Sequence, residues 1–138
     1  MNYWLLKSEP ETYPWETLVK DGIAVWDGVR NHQARNNLRL MKFGDLALFY
    51  HSGNQKQVVG ICKVSKEHYP EPGQETAKWV VVEVKPLKPF PKPVTLGSMR
   101  AEPKLGNLAM LRHTRLSVAP ISREEFNTII ELGNSSKL

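Results

Sequence analysis

Residues 26–41, WDGVRNHQARNNLRLM, are the part of the chain around which the remainder is arranged. The stretch opens on Trp26 and turns through Asp27 and Gly28. It then sets Arg30, Asn31, His32, Gln33, Arg35, Asn36, Asn37 and Arg39 within ten residues. At 3.6 residues per turn, Ala34, Leu38 and Met41 share one helical stripe, while Arg35, Arg39 and Lys42 share another. The first stripe is expected to dock on a core and the second to face outward as a basic edge. Gly28 permits positive φ on the approach, and the first free N–H groups of the helix suit anions. The same pattern also fits an ordinary amphipathic helix with a solvated polar face.

Outward from that helix the chain reads as strands wrapped with short helices. Residues 3–6 form an aromatic and aliphatic run that stops at Pro10, a first strand whose exit carries Lys7, Ser8 and Glu9. Pro14, Trp15, Leu18 and Val19 followed by Gly22 predict a helix of one to two turns. Residues 46–50 and 58–64 predict a hairpin, and residues 79–84 a third strand after a Pro- and Gly-rich loop at 69–73. Pro86, Pro89, Pro91 and Pro93 then demand an extended edge or a loop, because proline cannot donate to a central ladder.

Residues 96–99 and 108–111 predict short helical pieces, and 116–119 a strand. Ser122 and Glu125 form a capping box with Ile121 and Phe126 as its staple. It opens a closing helix buried through Phe126, Ile129 and Ile130 and stopped at Gly133. Residues 134–138 are expected to fray. The elements predict one α+β domain over residues 1–138, with a small curved sheet closing toward a barrel.

Composition bounds the function. The 138 residues are 41% hydrophobic, enough for one core. The lone Cys62 excludes a disulfide framework and a cysteine-rich zinc site. No window approaches the ~20 apolar residues of a membrane span, so a soluble, cytoplasmic protein without a membrane partner is expected. A net charge of +5 favours polyanions without proving them.

The histidines His32, His51, His68 and His113 have no metal-ligand spacing, and there is no nucleophile elbow, phosphate loop or dinucleotide fingerprint. No metal, no cofactor and no catalytic residue is expected, and Cys62, inside an apolar strand, reads as a structural thiol. What remains is a set of polar and aromatic groups at strand ends: Lys7 and Ser8, the segment 26–31, His51 and Ser52, and the segment 112–115. If these converge, Ser8, Trp26, Asn31 and Ser52 line one cleft, with Trp26 partly exposed to it.

The blocks YWLLKSEP, WDGVRNHQARNNLRLMKFGD, LALFYHS, VVGICKV and LRHTRLSVAPIS, in that order, resemble the EVE domain of the PUA-like superfamily, a group that includes the thymocyte nuclear protein family. The resemblance runs from residue 3 to about residue 132. It implies a PUA-like curved mixed β-barrel with peripheral short helices. It also brings a more distant likeness to YTH domains, in which a Lys-Ser after the first strand and a later Trp help form a pocket for a methylated base; Lys7, Ser8 and Trp26 match them.

The function it implies is recognition of a modified nucleobase, with modified cytosine in DNA favoured. The implied base pocket is Lys7, Ser8, Trp26, Gly28, Val29, Asn31, His51 and Ser52. Arg30, Arg35, Arg39, Arg112, Thr114 and Arg115 would meet the phosphate backbone. Two alternatives stay open, an RNA-binding module and an enzyme or binder acting on a small nucleobase-like ligand; whether a partner nuclease joins the chain is not legible.

Overall fold

A computed structural model describes residues 1–73 and 78–134. The elements in chain order are β1 (Tyr3–Ser8), α1 (Trp15–Asp21), β2 (Ala24–Trp26), α2 (His32–Leu40), β3 (Leu46–His51), β4 (Gln57–Pro70), β5 (Val80–Thr95), α3 (Leu96–Ala101), α4 (Ala109–Arg112), β6 (Val118–Ile121) and α5 (Arg123–Gly133). The strands form a mixed six-stranded sheet in the order β2-β5-β4-β3-β1-β6. The β1–β3 pair is parallel and every other pair antiparallel. Register shifts recur along β4 and β5, and such bulges bend and coil a sheet toward the barrel shape of the PUA-like fold.

Both faces of the central strands are covered, so their sequences are continuously apolar instead of alternating. Trp4, Leu6, Ala47 and Phe49 point into one core with Ala34, Leu38 and Met41. Their neighbours Leu5, Leu48 and Tyr50 point into a second core with Phe90, Val94, Met99, Phe126 and Ile129. The apolar stripe of α2 is thus buried as its spacing predicts, although the helix ends at Leu40 and Met41 continues the stripe from the C-cap position. Arg39 and Lys42 are exposed and Arg35 is half-buried.

Local signals explain most boundaries. Asn31 caps α2 by accepting the Ala34 N–H at 2.9 Å, and Asn37, buried on the same helix, donates to the Val118 carbonyl at 2.7 Å and docks it on β6. Gly22 ends α1 at φ +80°, a conformation that favours glycine. The Ser122–Glu125 capping box opens α5 with both reciprocal bonds formed. Pro86 and Pro89 lie in β5 opposite Cys62 and Gly60, beyond the stretch that β2 covers, so they occupy an edge as proline requires.

Several boundaries differ from the sequence expectation. β1 runs on to Ser8 and β4 to Pro70, since ladder partners on β3 and β5 carry polar residues along. The last strand is Val118–Ile121, two residues later than its apolar run predicts, because its register is set by β1. Trp79 precedes β5. Gly133 is the last residue of α5, followed by a cap at Asn134; it is small because a Cβ there would lie 2.6 Å from Phe90. Of the expected frayed tail, residues 135–138 lie outside the described residues. Among the described residues no helix is long and apolar enough to cross a membrane.

Candidate nucleobase pocket

A recess of about 680 Å³ opens where β1, β2 and the approach to α2 meet. That volume falls within the roughly 300–1,000 Å³ of small-ligand sites. Lys7 and Ser8 enter it from β1, Tyr13 from the following loop, Ala24, Val25 and Trp26 from β2, and Asp27 to Asn31 from the connection to α2. Trp26 of β2 packs against Phe49 of β3, the neighbour of β1, and Asn37 of α2 bonds Val118 of β6 on the other side of β1, which holds these segments together. A second recess of about 780 Å³, between Met1 to Trp4 and Pro120 to Arg123, contains none of the expected site residues.

Trp26 is more deeply set than expected. Only 9% of its surface is exposed, and its ring stands edge-on to Phe49, with centroids 5.7 Å apart and planes at 83°. Trp15 meets Phe49 in the same way at 5.5 Å. The expectation of a partly exposed Trp26 is therefore corrected: the apolar mass of an indole next to β5 draws it into the core, and it still lines the recess.

The polar groups around it are already engaged with the protein, which fixes their positions. Ser8 donates to the Tyr13 carbonyl at 2.6 Å, so its Oγ has only acceptor capacity to spare. Lys7 donates to the Thr114 carbonyl at 2.8 Å, and partial burial lowers its pKa. Tyr13 donates to Asp21 at 3.0 Å; burial, reinforced by that carboxylate, pushes its phenol up to about 12. Asn31 uses its side-chain oxygen as the helix cap, and among the described residues nothing takes its Nδ2.

Glu71 organises the loop. It is 8% exposed and accepts from the Gly28 N–H at 2.9 Å, from Arg30 Nη1 at 3.1 Å and from Arg30 Nη2 at 2.6 Å. Gly28 adopts φ +74°, which turns its N–H toward that carboxylate. The ion pair raises the Arg30 pKa further, chiefly through the hydrogen bond to Glu71.

Six of the eight expected pocket residues share the recess: Lys7, Ser8, Trp26, Gly28, Val29 and Asn31. His51 and Ser52 do not, and that expectation is corrected. His51 is buried; its Nε2 accepts the Trp15 N–H at 2.9 Å and its Nδ1 meets Gln55 Oε1 at 2.7 Å, so it supplies an acceptor to the start of α1, where Pro14 offers no side-chain cap. Ser52 donates to Glu9 at 3.0 Å, and only Glu9 reaches the recess.

The arginines divide as well. Arg30 borders the recess as an internal ion-pair partner, with 45% of its side chain exposed. Arg35 sits over Trp79. Arg39 is exposed in the last turn of α2, Arg112 donates to Asn107 at 2.7 Å, and Arg115 is exposed. Among the described residues no hydrogen bond or ring contact joins Arg39, Arg112 or Arg115 to the recess; Thr114 touches it through Lys7 alone.

Glu71, Asp27 and Tyr13 were not singled out from sequence. Asp27 lay in the quoted motif, whereas the Pro-Gly surroundings of Glu71 signal only a loop, and its partners lie more than forty residues away. Among the described residues no three of His, Cys, Asp or Glu gather as a metal site.

Residues 2–132 match the model of the EVE domain family. Thymocyte nuclear protein 1 of Mus musculus is 34% identical over 165 residues, covering 95% of this chain and 73% of that protein. Protein Atu2648 of Agrobacterium tumefaciens is 40% identical and superposes with a TM-score of 0.94 over 96% of this chain and 93% of its own. Human THYN1 in complex with 5-methylcytosine-containing DNA superposes with a TM-score of 0.89 at 30% identity, over 96% of this chain and 98% of that chain.

Proposed function

This chain belongs to the EVE domain family, and we propose that it is a nucleic-acid-binding module that takes a modified nucleobase, modified cytosine in DNA, into the recess beside Trp26. The observation that carries the reading is the convergence of Lys7, Ser8, Trp26 and Asn31, drawn from separate segments, on one recess of base-accommodating size. A relative in complex with 5-methylcytosine-containing DNA supports the choice of polymer and base.

The chemistry of the lining fits such a guest. A base swung out of a duplex loses a few kcal/mol of stacking, and an aromatic contact returns about 1 to 3 kcal/mol. The remainder comes from edge hydrogen bonds and phosphate contacts. The Asp27 carboxylate, exposed in the recess, is the acceptor suited to the exocyclic amino group of cytosine. Asn31 Nδ2 is a donor for a ring nitrogen or carbonyl. Val29 and Trp26 offer apolar surface to a 5-methyl group.

The reading is binding without chemistry. The hydroxyls and the imidazole that a nucleophilic mechanism would recruit have structural partners: Ser8 on Tyr13, Ser52 on Glu9, His51 on Trp15 and Gln55. The test incubates the protein with duplexes containing 5-methylcytosine, then measures retention on a filter and nucleoside masses after digestion. Retained DNA with unaltered bases and strands is expected; a protein-dependent change in base mass or strand length overturns the reading.

A further inference from the structure

Trp79 stands half-buried just before β5, outside the recess, with cations gathered around it. The Arg30 guanidinium carbon lies 5.2 Å from the ring centroid, that of Arg35 5.6 Å, and the Lys78 ammonium 5.1 Å. The His32 ring is 5.5 Å away, tilted by 34°. The electron-rich face of an indole attracts each cation, yet like charges collected at one ring repel one another. The Glu71 carboxylate pairs with Arg30 and the charge of Asp27 also acts on it, whereas among the described residues no ion pair joins Arg35, so the positive imbalance is clearest there.

The helix beside it deepens that imbalance. His32 and Arg35 lie in the first turn of α2, which has no acidic residue. A helix N-terminus carries partial positive charge and favours anions, so cations there are on the electrostatically wrong end. Arg30 belongs both to this cluster and to the lining of the recess, so the positive surface begins at the mouth of the pocket.

We propose that Trp79 is a positioning platform that holds Arg30 and Arg35 against the start of α2 as a clamp for the phosphates flanking the captured base. The inference rests on the DNA-binding reading and narrows the backbone contacts to one side of the recess. The ring supplies no base readout. Both guanidiniums already use it, and Glu71 braces Arg30 from behind. Backbone contacts fix register and carry no sequence information, so this surface serves modified and unmodified DNA alike.

The test uses the full chain and a short end-labelled duplex with one central 5-methylcytosine, beside its unmodified match, titrated by fluorescence anisotropy at several salt concentrations. Trp79→Ala is expected to weaken both duplexes by the same factor, about two- to fivefold, the worth of an exposed cation–π contact. Arg35→Gln should lower the slope of log affinity against log salt by about one. Thermal melts establish folding, and if Trp79→Ala fails to fold, Trp79→Phe and Arg35→Gln carry the measurement. Folded variants with unchanged affinity and salt slope overturn the clamp, as does a loss confined to the modified duplex. A wild-type chain that binds neither duplex at low salt defeats the DNA reading itself, a result distinct from the other two.

Discussion

Replacing Trp26 by alanine separates two roles that the structure assigns to one side chain. The indole is 9% exposed and packs edge-on against Phe49, so truncation leaves a cavity inside the aromatic cluster of Trp15, Trp26 and Phe49. Truncating a buried tryptophan costs about 3 to 5 kcal/mol. For a domain of this length that corresponds to a fall in melting temperature of roughly 10 to 20 °C. Trp26→Phe keeps an aromatic edge and should lose about 1 to 3 kcal/mol. Calorimetry or circular dichroism measures the first effect, and titration with 5-methylcytosine DNA below the melting transition measures the second. There, Trp26→Ala should forfeit a further 1 to 3 kcal/mol of affinity, about the worth of one stacked base. A melting temperature within a degree or two of wild type would refute the core placement. A fully folded Trp26→Ala chain with undiminished affinity would refute its place in the binding site.

Three other outcomes follow from the packing. Asp45 is buried and accepts from the Asn2 N–H, Trp4 Nε1 and the Lys42 N–H at 3.0 to 3.1 Å, so Asp45→Ala should lower urea stability by about 3 kcal/mol, and a loss below about 1 kcal/mol would contradict this role. A Cβ on Gly60 would lie 2.6 to 2.8 Å from three atoms of the Trp15 ring, so Gly60→Ala should destabilise by about 1 to 3 kcal/mol, read from the same transition. Burial pushes the Cys62 thiol from 9.0 up to about 12. The folded state therefore favours the protonated form: this contribution to stability is complete below about pH 9 and is lost as pH rises toward 12. Ellman's reagent at pH 8 should label Cys62 only as fast as the chain opens, and rapid labelling without urea would show the thiol to be accessible.

The features legible in the sequence are those written in neighbouring residues. The stripe Ala34, Leu38 and Met41, the Ser122–Glu125 box and the Gly22 stop each depend on partners within one or two turns, and each appears in the fold. The prolines of β5 announced an edge because the missing N–H is a local fact. Illegible were the contacts closed by tertiary approach. His51 at a strand end looks like a site residue until the Trp15 N–H, thirty-six positions earlier, proves to be its partner. Glu71 in a turn-rich segment looks like a solvated loop until Gly28 and Arg30 meet it. Trp26 beside a polar run looks exposed, since sequence cannot show that Phe49 waits on the facing strand.

The central claim, that the recess reads a modified base, is tested most directly by competition between two duplexes identical except for one methyl group on one cytosine. Burying that methyl against Trp26 and Val29 is worth about 0.8 kcal/mol, a preference of roughly fourfold for the methylated duplex. The account predicts at least that ratio for the wild-type chain and a smaller one in folded Trp26→Phe, which keeps Val29 and a reduced aromatic surface. Equal affinity of the wild-type chain for both duplexes would contradict it.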